Sequence, residues 1–305
     1  MPMYVFKDHF PYTYSQMLSD LHNLCACFPG TARLEITGRS VLHRPLCALC
    51  VGSRSSTSHL LLQGAIHGRE YTTARLLVAQ AAHLLRSRTP LLKKFCFHFL
   101  PMTNPDGVIL SQSQRLTGLQ DPIYRQDKWE GNTRQSMEDY ALRWKANALG
   151  VDLNRNFPAG WSTLKSRPYP SSQEHKGTAP LCAPETRYLA LYTLKLPLAA
   201  TISYHEAGSV IYCEYGADAQ VLTESRRLGQ EISALTGYPL VTDPTLPGGG
   251  YRDWVMDTLH IPSLTIEIGQ GSAPLSPEEY PDILRRNLEV PEAAAQVISS
   301  ANSLY

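Results

Sequence analysis

Eight short runs of apolar residues, interleaved with stretches of helical period, constrain this chain more than any other feature. They cover 32–38, 45–52, 59–66, 95–102, 198–205, 209–215, 239–243 and 262–269. Buried, β-branched strands alternating with helices point to an α/β fold with a mainly parallel sheet covered on both faces. Helices are expected near 13–28, 70–85, 185–195, 219–236 and after the glycines at 248–250, and the C-terminal helix is expected to break or kink at Pro281 and Pro291. The stretch 105–180 is polar, rich in Gly, Pro, Arg, Gln and Asn, and reads as one long functional loop region.

Ligands of a parallel sheet bind beyond the carboxyl ends of its strands. Three of the runs end in metal-ligating or proton-carrying residues: His67 with Glu70 three positions on, His205, and Glu267. These endings fall on one sheet edge and can converge. Two His and one Glu form the three-ligand set of catalytic zinc, with a position left open for water. An isolated His-x-x-Glu pair is weak evidence, but it gains weight when a second His and a Glu end neighbouring strands. Glu267 stands among Leu264, Ile266 and Ile268, where a carboxylate is costly unless it has a partner or a task. A general base with a raised pKa suits that place. Glu206 competes for the role, yet Ser209 breaks an HExxH motif, and adjacent strand residues face opposite sides.

The remaining features mostly exclude. Lys plus Arg is 28 against 27 for Asp plus Glu, and no basic block stands out, so nucleic acid is not an expected partner. No run of 18 apolar residues suggests a membrane span. No internal repeat or linker divides the chain, so 1–305 reads as one domain without a separate wall-binding or pro-domain. Seven cysteines, mostly inside apolar runs, and no visible signal peptide point to the cytoplasm. Cys47 and Cys50 lie on a strand that turns their thiols to opposite faces, against a redox or metal pair.

Taken together, the ordered motifs His67-Gly-Arg-Glu70, Asn104-Pro-Asp-Gly107, Asp152-Leu-Asn-Arg-Asn-Phe157, His205, Gly249-Gly-Tyr-Arg-Asp-Trp254 and Thr265-Ile-Glu267 resemble the zinc carboxypeptidases of the carboxypeptidase A type. The resemblance runs from about Tyr12 to about Ala295. It implies a single domain, a mixed eight-stranded sheet between helices and one zinc ion per chain. Its zinc ligands would be His67, Glu70 and His205, and its general base Glu267. Asn154 and Arg155 match the pair that holds the substrate's terminal carboxylate.

Arg143-Trp-Lys-Ala-Asn147 leading into Gly150-Val-Asp-Leu-Asn-Arg155 is similar to the bacterial branch that cleaves peptidoglycan stem peptides. That likeness implies hydrolysis of the γ-D-glutamyl-diamino acid bond, with meso-diaminopimelate or lysine as the amino acid released. Where animal-type members place an oxyanion-stabilising arginine, this chain has Lys145, with Arg143 close by. Where they place a tyrosine, it has Asp243-Pro-Thr-Leu-Pro247, which leaves Tyr251 or Tyr204 as substitutes. Arg252 falls in the segment that shapes the side-chain pocket and suits the second carboxylate of diaminopimelate. An ordinary carboxypeptidase on L-peptides, a hydrolase of small N-acyl amino acids and an inactive binding module of the same fold are the alternatives.

Overall fold

The apolar runs form the strands expected of them. The computed structural model describes residues 10–243 and 248–301. In chain order the elements are α1 (Tyr14–Cys27), β1 (Ala32–Arg39), β2 (Pro45–Gly52), β3 (Ser58–Gln63), α2 (Thr72–Ser87), α3 (Leu91–Lys94), β4 (Phe95–Leu100), α4 (Pro105–Ser113), α5 (Asp121–Trp129), α6 (Met137–Leu142), α7 (Pro184–Leu194), β5 (Leu198–Glu206), β6 (Val210–Tyr212), α8 (Ala219–Thr236), β7 (Leu240–Val241), α9 (Tyr251–Leu259), β8 (Ser263–Ile268), α10 (Tyr280–Asn287) and α11 (Val290–Ala301).

All eight strands join one mixed sheet in the order β1-β2-β4-β3-β5-β8-β6-β7. The central four, β4-β3-β5-β8, run parallel to one another. The antiparallel pairings are β1 with β2, β2 with β4, and β6 with β8. Strand alternation divides the core. Leu49, Leu60, Leu62, Phe97 and Phe99 pack towards α1 and α2, whereas Ala48 and Leu61 belong to the layer with α7 and α9. Each such side chain, fully buried, contributes about 1.5–3 kcal/mol of transfer free energy. Among the described residues, no helix is long and apolar enough to cross a membrane.

Two expectations need correction. The stretch 105–180 is not one loop: it holds α4, α5, α6 and a 3-10 turn at Leu153–Arg155. Helices of six to nine residues are too short for period to reveal, and buried polar ties hold these in place. The Asp127 carboxylate accepts from Tyr140 (2.5 Å), Ser171 (2.6 Å) and Arg167 (3.0 Å). Pro281 and Pro291 do not kink a helix either. Each stands in the first turn of its own helix, α10 or α11, where a missing N–H costs no hydrogen bond.

The Asn-Pro-Asp-Gly segment locks together the loops that carry the site. Asn104 caps α4 by accepting from Gly107 N, and its amide donates to the carbonyls of Ile66 and Ala146. Gly68 N donates to Lys145 O at 3.0 Å. A Cβ on Gly68 would meet the Gly107 backbone at 2.5 Å, so this close approach requires glycine.

Candidate metal centre and substrate cleft

Three parallel strands deliver the chemistry to one edge. His67 lies just beyond β3, His205 near the end of β5, and Glu267 near the end of β8, in register with His205. His67 Nδ1 is 2.8 Å from Glu70 Oε1, His205 Nδ1 is 3.0 Å from Glu70 Oε2, and the two Nδ1 atoms are 3.2 Å apart. All three side chains are buried. Burial opposes ionisation of Glu70, but the adjacent His67 and His205 imidazoles overcome it and hold the carboxyl far below its usual range.

These atoms suit a metal ion. The two Nδ1 atoms and the Glu70 carboxylate face one another, so one shared cation can take a lone pair from all three. The N2O donor set is the one zinc takes in catalytic sites, and the donor atoms of His67, Glu70 and His205 all lie within 4.8 Å of one another.

Asp152, absent from the sequence-based site, completes the shell. Its Oδ1 is 3.2 Å from His67 Nε2, an arrangement in which Nδ1 of that ring would be the atom available to a metal. Burial disfavours the Asp152 carboxylate, yet Lys145, His67 and Arg155 hold its carboxyl well below the ordinary range. The only sequence signal for Asp152 was its place at the head of the Asp-Leu-Asn-Arg motif.

Beside this candidate metal centre is a cavity of about 420 Å³ whose walls include Lys145, Asn154, Arg155, Arg252, Thr265 and Glu267. Lys145 Nζ is 3.7 Å and Arg155 Nε 3.5 Å from Asp152 Oδ2. Asn154 Oδ1 accepts from Tyr251 N at 3.0 Å, joining the motif to the start of α9. Arg252 is buried and donates from Nε and Nη2 to Asp253 Oδ1, at 3.0 and 2.7 Å. Burial pushes the Glu267 carboxyl up to about 7.

Other expected residues stand elsewhere. Arg143 is exposed and outside the cavity wall, and its carbonyl accepts from Arg69 Nη1. Tyr251 is not in the cleft: its ring packs on Phe157 and Trp254, and its hydroxyl is 2.9 Å from that of Thr193. As the first residue of α9 it turns inward, while the next residue, Arg252, meets the cavity. Tyr204 takes the opposite face from His205 and accepts from Gln80. Positions 244–247 of the Asp243–Pro247 segment lie outside the described residues. Glu206 faces away from the metal ligands and accepts from the backbone N–H groups of Thr72, Thr73 and Leu275. Cys47 and Cys50 do sit on opposite faces, the first in the α1/α2 core and the second beside His98.

Residues 17–289 match the family described as Zinc carboxypeptidase. A curated relative, the Gamma-D-glutamyl-L-diamino acid endopeptidase 1 of Lysinibacillus sphaericus, is 28% identical over 294 residues, covering 92% of this chain and 71% of the relative. The solved carboxypeptidase A of Helicoverpa armigera superposes with a TM-score of 0.71 at 20% identity, covering 95% of this chain and 74% of that one. The murein-tripeptide amidase of Escherichia coli O157 gives 0.55 at 24% identity, covering 89% and 92%. These two structural likenesses bear on the fold.

Proposed function

This chain belongs to the zinc carboxypeptidase family, and on that premise we propose that it hydrolyses the γ-D-glutamyl-meso-diaminopimelate bond of peptidoglycan stem peptides. That it is a peptidase follows from the family and its peptidase relatives. The observation that carries the mechanism is the convergence of three ligand atoms with Glu267 and a cation-lined cavity at one sheet edge. The observation that favours the bond is the named activity of the Lysinibacillus relative, joined to a buried arginine in the side-chain pocket.

His67 Nδ1, Glu70 and His205 Nδ1 would hold the zinc. When bound, zinc lowers the pKa of water and polarises a carbonyl. Glu267 removes the proton of the attacking water and passes it to the leaving amine nitrogen. Its raised pKa suits both halves of that transfer near neutral pH. Lys145 offers positive charge to the oxygen on which negative charge develops. Arg155 and Asn154 bind the α-carboxylate of the departing amino acid, and Arg252 meets its second carboxylate. None of the seven cysteines is in a disulfide, which favours a reducing compartment such as the cytoplasm.

The test is a comparison of kcat/KM for L-Ala-γ-D-Glu-meso-diaminopimelate with that for an N-blocked L-dipeptide bearing a free carboxylate. The reading expects preference for the tripeptide. Cleavage confined to the L-dipeptide would leave an ordinary carboxypeptidase.

A further inference from the structure

A second cluster of potential metal ligands lies far from the cleft. His59 begins the ladder of β3, Cys96 and His98 lie on β4, and Cys50 lies on β2. Register places His59 beside Cys96 and Cys50 beside His98. Alternation turns all four to the α7 side of the sheet, where they are buried. His59 stands near the start of β3, at the opposite end of that strand from His67.

The hydrogen bonds here form a chain with an acceptor at each end. The Ser56 carbonyl is 3.0 Å from His59 Nε2, His59 Nδ1 is 3.0 Å from His98 Nε2, and His98 Nδ1 is 2.7 Å from the Tyr192 hydroxyl. That hydroxyl is 3.1 Å from Glu35 Oε2. A carbonyl and a carboxylate bring no proton. The two neutral imidazoles and the phenol bring one each, so one of the four contacts has none. Glu35 remains ionised: burial opposes this, but Arg33 and Tyr192 prevail. If His59 donates to Ser56, Tyr192 to Glu35 and His98 Nδ1 to Tyr192, the gap falls between His59 Nδ1 and His98 Nε2, with both lone pairs facing it.

We propose that His59 Nδ1, His98 Nε2 and Cys96 Sγ form a second, structural zinc site, distinct from the catalytic one. One ligand atom from each of the three residues lies within 4.8 Å of the others, and His59 Nδ1 and His98 Nε2 are 3.0 Å apart. Each ring has an outer partner on its other nitrogen, as metal-bound histidines do. Arg33 Nη2 donates to Cys96 Sγ at 3.5 Å, a hydrogen bond that a metal-bound thiolate can accept. Binding releases the thiol proton to solvent. Cys50 Sγ is 3.3 Å from His98 Nδ1, at the ring nitrogen that does not bind, and is outside the ligand set. The site would clip β3 to β4 and stabilise the fold by mass action.

Cobalt(II) tests this, because only this site offers a thiolate; the catalytic ligands are nitrogen and oxygen. The full chain loaded with cobalt(II) should show thiolate-to-cobalt charge-transfer absorption in the near ultraviolet. His205→Ala and Cys50→Ser should keep it, and Cys96→Ser should lose it. Zinc-loaded wild type should hold about two equivalents, and His205→Ala about one. Absence of charge transfer in cobalt-loaded wild type and His205→Ala would overturn the proposal even if Cys96→Ser does not fold. So would a single zinc equivalent in wild type, which would leave a proton in the gap.

Discussion

Asp152 Oδ1 lies 3.2 Å from His67 Nε2, while Oδ2 of the same carboxylate faces Lys145 and Arg155. One buried side chain therefore touches an imidazole of the proposed zinc site and gathers two cations of the cleft. Replacing it by Asn removes the charge that makes the His67 ring a better donor. Asp152→Asn should lower zinc affinity about 10–100-fold, read by competition with a chromophoric chelator. An unchanged affinity would show that Asp152 serves the cations alone.

As the proposed general base, Glu267 should set the acid limb of the pH profile. Burial pushes its carboxyl up to about 7. A base works only when ionised, and a raised pKa keeps the proton on at mildly acid pH. In the account, kcat/KM falls about tenfold per pH unit below the pKa. Glu267→Gln should lower kcat by about 10²–10⁴ without loss of bound zinc. Wild-type activity in that variant would remove Glu267 from the mechanism.

Arg155 is about a third exposed and lies on the cavity wall, as a residue that grips an incoming carboxylate must be. Arg155→Met should raise KM by about 10–100-fold, the worth of a charge-assisted hydrogen bond of about 1.5–3 kcal/mol. Converting the substrate's α-carboxylate to an amide should cost the wild type a similar factor and the variant little more. Additive losses would place the carboxylate elsewhere.

Arg252 is spoken for in part by Asp253, which accepts two of its N–H groups. Its remaining donors are what the cavity offers a second carboxylate. Arg252→Gln should narrow the preference for diaminopimelate over lysine in otherwise identical tripeptides by about tenfold or more. The ratio of the two kcat/KM values measures this directly, and an unchanged ratio would exclude Arg252 from the choice.

The sheet was legible because its central strands are unbroken apolar runs, and the parallel order of β3, β5 and β8 then places His67, His205 and Glu267 on one edge. What stayed hidden has physical causes. Helices α5 and α6 are held by contacts to Asp127 and Trp144 that join distant segments, and no local period announces them. Tyr251 and Arg252 are adjacent on a helix start, and which one faces the cavity depends on how α9 lies against Phe157. Asp152 acts through His67 across 85 residues of chain. His59 and His98 stand inside strands and resemble core residues until the register brings them together.

The central claim is metal-dependent cleavage of a stem-peptide bond, and mass spectrometry of the products from L-Ala-γ-D-Glu-meso-diaminopimelate tests it most directly. Free diaminopimelate and L-Ala-D-Glu are expected, with release abolished by a zinc chelator and restored by added zinc. An intact tripeptide after incubation with protein shown to be folded and zinc-loaded would contradict it.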